Sequence, residues 1–167
     1  LVGVKEASER AGVEIVTGDT KVVEKGKGDG IFINTTGIGP LHPKASIHHN
    51  RIATGDVIIC SGQIANHGIS VMSKRKGLEF ESGILSDTTN LNHVVGKMLD
   101  LFGKDIHFLR DPTRGGVASV LNEVAGLTGR GYYIEQNKIP VDEQVEGACE
   151  MLGLDPLYVA NEGIFIA

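Results

Sequence analysis

The placement of glycine constrains this chain more than any other feature. Its 167 residues include 23 glycines and only 5 prolines, well short of the ~25–30% Gly plus Pro that marks low-complexity sequence. The glycines do not repeat. Three groups of them fall in turns that follow short apolar runs, at 17–21, 60–68 and 110–116. A fold that joins strands to helices through tight turns uses glycine in this way. With no Trp and 5% aromatic residues, the core rests on Val, Ile, Leu and Ala.

Periodicity sets the element order. Val4, Ala7 and Ala11 share one face of a helix over 2–10, and Gly12 fits its left-handed end. Residues 13–17, 21–24 and 31–38 read as strands, with a loop at 25–30. Residues 40–54 carry Pro40, Pro43, His42, His48 and His49 and read as an irregular connection. Beyond it, strands are expected at 56–61, 107–110, 132–135 and 164–167, and helices at 69–76, 86–102, 117–127 and 140–152. The pattern is α+β, a mixed α/β arrangement in two layers. The expected division is 1–42, a linker at 43–54, and a second domain at 55–167.

Charge narrows the function classes. A net charge of −5 and a pI near 5.7 argue against nucleic acid as a partner. The run Lys74-Arg75-Lys76 reads as a solvated helix end. No apolar stretch approaches the ~20 residues of a membrane span. Cys60 and Cys149 sit in apolar segments outside any C-x-x-C pattern, which fits free thiols in a reducing, cytoplasmic compartment. The chain starts without Met, inside a helix, and stops in the apolar run Gly163–Ala167. The expectation is a fragment of a longer protein.

Four turns carry candidate chemistry. Asp19 and Lys21 flank Thr20 just past the first expected strand. Asp suits a hard cation such as Mg²⁺ and Lys suits phosphate or proton work, although a plain turn with a local Asp cap also explains the pattern. Residues 60–68 include Asn66 and His67 just ahead of a helix, where glycines leave backbone N–H groups open to an anion. The segment Arg110-Asp111-Pro112-Thr113-Arg114-Gly115-Gly116 is the densest. Capping accounts for Asp111 or Thr113. The two arginines and the double glycine suit a phosphate or carboxylate. Glu162 opens the last expected strand. The histidines at 42, 48 and 49 do not match zinc-ligand spacing.

Taken together, "TGDTKVV" at 17–23, "INTTGIG" at 33–39, "GDVIICSGQIANHG" at 55–68, "RDPTRGGVASVLNEVA" at 110–125 and "LGLDPLYVANEG" at 152–163 resemble the HypE family of hydrogenase maturation proteins. That family lies in the ATP-binding superfamily of aminoimidazole ribonucleotide (AIR) synthetase, selenophosphate synthetase and thiamine-monophosphate kinase. The resemblance implies a PurM-like fold, with the end of an N-terminal domain followed by most of an AIR synthetase-type C-terminal domain. It also implies a homodimer.

The implied chemistry is ATP-dependent. A carboxamide delivered by HypF onto a C-terminal cysteine is dehydrated to a thiocyanate, and its cyanide passes to iron on the HypC–HypD scaffold. In that reading Asp19 lies near the Mg²⁺-phosphates, and Lys21 and Glu162 assist proton removal. Arg110, Asp111, Thr113, Arg114, Gly115 and Gly116 face the nucleotide cleft, while Asn66 and His67 occupy a turn beside it. Neither Cys60 nor Cys149 matches the terminal cysteine, so this fragment alone is expected to be inactive. Another enzyme of the superfamily, or an isolated docking module, stays open as an alternative.

Overall fold

The computed structural model describes residues 2–28, 30–77 and 83–167. Asp29, inside the expected 25–30 loop, lies outside the described residues. The chain divides into two compact units, Leu1–Pro43 and Lys44–Ala167.

In the first unit, helix α1 spans Val2–Ala11. Gly12 ends it at φ +64°. The Gly12 N–H donates to Glu9 O at 3.2 Å and the Val13 N–H to Ser8 O at 3.0 Å. This bond pair closes a helix through a left-handed glycine. The segments 13–17, 21–24 and 31–38, expected as strands, form no ladder with any described residue. Alternation alone does not make a strand, because each N–H and C=O needs a neighbouring chain. Their apolar side chains stay outside: Val16 is 86% exposed, Ile31 84% and Ile38 100%.

The second unit carries the core. Helix α2 spans Asn66–Lys76, α3 Asn92–Phe102, α4 Gly116–Thr128 and α5 Glu143–Leu152. Val117, Val120, Leu121 and Val124 form one stripe of α4 and are all buried. They meet Ile69 of α2, Val145, Ala148 and Cys149 of α5, and Ile164 and Ile166 near the C-terminus. Each such burial stabilises by about 1.5–3 kcal/mol before ordering costs. Helix α5 begins at Glu143 and not Pro140, because the Asp142 side chain accepts from Gln144 N at 3.0 Å and caps it there. Helix α3 begins at Asn92 and not Ser86, because the Ser86 hydroxyl is taken up in a local turn with Thr88.

Three expected strands do pair, in short antiparallel pieces. Ile59 and Ala167 exchange hydrogen bonds at 2.8 and 2.9 Å, and Ser61 N donates to Phe165 O at 3.0 Å. Arg110 and Ile166 exchange bonds at 3.0 and 2.8 Å on the other side. Residues 165–167 are therefore the middle piece. The 132–135 segment has no ladder partner among the described residues. A parallel bridge joins Ile64 to Val141. The mixed α/β expectation thus survives only in part, with helices dominating the described elements.

Of the linker expected at 43–54, residues 44–54 belong to the second unit. The Arg51 guanidinium donates to the carbonyls of Ser46, Lys104 and Ile106. His48 N donates to His107 O at 2.9 Å, and the His48 ring accepts from Asn50 N at 3.2 Å. Asp56 Oδ2 accepts from Ala53 N at 2.9 Å and lies 2.7 Å from His107 Nδ1. These bonds hold the Asp56 carboxyl below its ordinary value, the Ala53 N–H first and His107 second.

Two outcomes are expected. Ile69→Ala, at a fully buried site, lowers stability by about 2–5 kcal/mol in urea unfolding, whereas Leu101→Ala, at a 75% exposed site, changes it by less than ~0.5 kcal/mol. Equal effects would contradict the core assignment. Because the folded state depresses the Asp56 pKa, its contribution is fully present above the ordinary carboxylate value of ~3.9. It is lost as pH falls through the folded-state value. Asp56→Asn therefore flattens the acid limb of the stability–pH curve below about pH 4, and an unaltered limb would contradict the pairing.

Candidate functional site

The site is assembled around one buried amide. Asn161 is 0% exposed. Its Oδ1 accepts from Ala65 N at 2.7 Å, and its Nδ2 donates to the carbonyls of Pro112 and Val159, both at 3.0 Å. Its backbone N–H also donates to Pro112 O at 3.3 Å. One side chain thus ties together the turn before α2, the turn before α4 and its own segment. The sequence pattern offered no sign of this role: a polar residue beside Glu162 reads as surface.

Close backbone approach tightens the same junction. Gly68 N donates to Ala160 O at 3.0 Å, and a Cβ on Gly68 would overlap Val159. Gly116 has φ +62°, and a Cβ there would stand 2.6 Å from Val159 O and closer still to Leu157 O. Gly115 has φ +71°, and its Cβ would overlap Ser119. The double glycine is therefore required by conformation and by packing. Ala65 is left-handed at φ +73° without being glycine, a strain of about 1–3 kcal/mol that persists where surrounding bonds over-determine it. The Asn161 bond to its N–H is one of those constraints.

Both helices that enter the junction start uncapped. The residue before α2 is Ala65 and the residue before α4 is Gly115, and neither helix has a side-chain cap bond. Asp111 and Thr113, expected as possible caps, do not serve as such. Backbone carbonyls take up one first-turn N–H of each helix, Gly68 N by Ala160 O at 3.0 Å and Gly116 N by Thr113 O at 3.2 Å, while the positive end of each helix dipole still favours an anion.

Around this junction stand most of the expected site residues. Glu162 is exposed between buried Asn161 and buried Gly163. A Cβ on Gly163 would overlap the Asp87 carbonyl, so residues 86–88 lie directly on the Glu162 turn. His67 Nδ1 lies 2.9 Å from Ser86 Oγ, which lies 2.7 Å from Thr88 Oγ1. Asp111 and Arg114 are exposed. Arg110 is paired with Glu123 of α4, an exposed ion pair worth about 0–1 kcal/mol. Asp19 and Lys21 belong to the first unit and are exposed. Asp19 Oδ1 accepts from Thr20 N at 2.8 Å, so one of its oxygens is engaged as a local cap.

The two thiols lie apart from this chemistry. Burial pushes the Cys60 and Cys149 thiols up, and the nearby Asp155 and Glu146 carboxylates add to the effect at Cys149. A raised thiol is a poor nucleophile near neutral pH. A groove of about 580 Å³ runs past α5 between Ile139, Cys149 and Leu157, and none of the expected site residues lines it. Among the described residues no helix is long and apolar enough to cross a membrane.

Residues 53–167 match the AIR synthase related protein, C-terminal domain, family. The chain belongs to that family. It is also 50% identical over 161 residues to carbamoyl dehydratase HypE of Rhizobium leguminosarum bv. viciae, covering 96% of this chain and 46% of that protein. Among solved structures, it is similar to a crystal structure of a HypE–HypF complex at a TM-score of 0.88 and 42% identity, over 99% of this chain and 54% of the other. A crystal structure of HypE in complex with ATP matches at a TM-score of 0.84 and 42% identity, over 96% and 48%. The chain spans about half the length of the curated relatives it matches. The AIR synthase-type domain therefore holds the Asn161 junction, the uncapped helices and Glu162.

Asn161→Leu keeps the volume but strands the Ala65 N–H and removes the side-chain donors to the Val159 and Pro112 carbonyls, leaving Pro112 O only the residue-161 backbone N–H. The expected loss is about 2–5 kcal/mol in urea unfolding. Asn161→Asp, which keeps the acceptor and loses both donors, is expected to fall between wild type and Asn161→Leu. A midpoint unchanged in both variants would contradict the role given to Asn161.

Proposed function

We propose that this chain is part of an ATP-dependent carbamoyl dehydratase of hydrogenase maturation. In this reading it converts a carboxamide on a C-terminal cysteine of the parent protein to a thiocyanate, the source of cyanide for a [NiFe] hydrogenase iron. The observation that carries the reading is the exposed Glu162 carboxylate on a turn clamped from both sides, beside two uncapped helix N-termini. The similarity to HypE supports it.

The chemistry follows from what an amide lacks. Its oxygen is a poor leaving group. ATP, when bound, supplies a phosphoryl group that lets the oxygen leave as phosphate, and the two N–H protons must then be removed. The first turn of α4 fits an anion of phosphate type, because no side chain caps it and the positive end of the helix dipole lies there. Arg110, Asp111, Thr113 and Arg114 precede that turn in the chain and are assigned to the nucleotide side of it. Glu162 takes a proton from the amide nitrogen. Lys21 is assigned to the second proton transfer, and Asn66 and His67 shape the turn beside Glu162. For Mg²⁺, Asp19 offers one carboxylate. Phosphate oxygens and water are the other oxygen ligands that such a hard cation takes.

In the same reading residues 1–42 close an N-terminal domain, 43–54 connect it, and 55–167 form most of the C-terminal domain. The exposed apolar residues of the first unit support a homodimer in which strands pair between copies. HypF as carbamoyl donor and HypC–HypD as cyanide acceptor complete the set of partners. The two unpaired thiols support a cytoplasmic setting.

In the full-length parent protein, Glu162→Gln is expected to bind ATP within about twofold of wild type while thiocyanate formation drops by about 100-fold or more. Lys21→Ala is expected to lose turnover with a smaller change in ATP affinity. Wild-type thiocyanate yield from Glu162→Gln would refute the proton-transfer role.

A further inference from the structure

Negative charge is not spread evenly along this chain. Residues 135–155 hold six Asp or Glu and a single Lys, a formal −5 that equals the net charge of all 167 residues. That lysine, Lys138, is already paired with Glu135 at 2.7 Å. The stretch works against its own electrostatics. Glu146 and Glu150 lie four residues apart on α5, where like charges repel. Glu150 falls near the end of the helix, and no basic side chain in the last turn offsets the negative end of the dipole. Among the described residues neither glutamate has an ion-pair partner.

These carboxylates share one open feature. Glu146, Glu150 and Asp155 all line the groove of about 580 Å³ beside α5, and no Lys or Arg lines it among the described residues. Ile139, Leu154 and Leu157 belong to its apolar lining. Access is direct, because the three carboxylate residues are exposed and Leu154 is 37% exposed. Asp155 and Glu146 add to burial in pushing up the thiol of Cys149, which also lines the groove. A volume of that size lies within the ~300–1,000 Å³ of ligand sites. A purely polar cation would leave the apolar lining wet, and a purely apolar group would leave the carboxylates uncompensated. A peptide with basic side chains next to apolar ones meets both needs.

We propose that the α5 groove docks a segment of a partner protein in which Lys or Arg side chains adjoin an apolar one. The cations meet Glu146, Glu150 and Asp155, and the apolar side chain lies against Leu154 and Leu157. No bond is made or broken. None of the residues assigned to ATP or to proton transfer lines the groove, so docking here stands or falls apart from the dehydration reading.

The test uses the full-length parent protein and a fluorescein-labelled peptide, Lys-Leu-Arg-Leu-Lys-Leu-Arg, read by fluorescence anisotropy. One control peptide carries Ser for every Leu, and another carries Glu for every Lys and Arg. The basic and apolar peptide is expected to bind, and both controls to bind at least about tenfold more weakly. The double variant Glu146→Gln with Glu150→Gln is expected to weaken binding about 5–20-fold. Its melting temperature is expected to equal or exceed that of wild type, because the repulsion along α5 is removed. Leu154→Ser is expected to weaken binding as well. Glu6→Gln with Glu9→Gln removes the same charge from α1 and is expected to leave binding unchanged.

Failure of the basic and apolar peptide to bind overturns the proposal. Equal binding of the Ser control overturns it too, since attraction would then rest on charge alone. Equal weakening by the Glu6 and Glu9 variant has the same consequence. Self-association of the parent protein that the Glu146 and Glu150 variant abolishes, read by sedimentation velocity, would assign the groove to a second copy and overturn the partner reading.

Discussion

The second unit turns on a single buried carboxamide. Asn161 satisfies three backbone groups on three segments. Each of those groups sits where water does not reach, so each needs a partner inside the fold. Asn fits because it offers an acceptor and two donors in one plane. A carboxylate lacks the donors, and an aliphatic side chain lacks all three. The starts of α2 and α4 are held by this amide, so the geometry of the candidate site depends on it.

That clamp explains how a flexible-looking turn becomes a rigid platform. Glu162 follows Asn161 directly, and Gly163 beyond it lies against the backbone of Asp87. A carboxylate intended for proton transfer must be held near its target yet remain reachable. Here the backbone on both sides is buried and the side chain between is exposed. Left-handed Ala65 adds strain at the same junction. The two helix ends carry no side-chain cap, and the buried oxygens of Asn66 and Asp87 have no hydrogen-bond partner among the described residues. Strain and unsatisfied polar groups concentrated at one place are characteristic of functional sites.

Legibility from sequence varied with the range of the interaction. The α4 stripe of Val117, Val120, Leu121 and Val124 was readable, because a helix repeats every 3.6 residues and its own hydrogen bonds are local. The turn glycines were readable for a similar reason. The strands at 13–17 and 31–38 were misleading, since a β-branched run signals a strand only if a partner lies alongside. The pairs 59–61, 110 and 165–167 were found as segments, but their order, with 165–167 in the middle, was not. Arg110 and Glu123 gave no sign of pairing at a separation of 13 residues. Asp87 falls in the first turn of the helix expected at 86–102, where a carboxylate reads as solvated, yet its oxygens are enclosed.

The sequence by itself determined the family, through motifs whose spacing is a property of the chain, and it placed glycine at most left-handed or closely packed turns, Ala65 being the exception. Those are local requirements, and they are written in residue order. Only the tertiary structure decided that Asn161 is the clamp, that Gly116 and Gly68 are glycine because residues 157–160 pass over them, and that the Asp87 backbone lies against Gly163. Those facts rest on meetings of residues between 41 and 96 positions apart. Burial and hydrogen-bond satisfaction at such range depend on where the whole chain goes, and no local pattern carries that information.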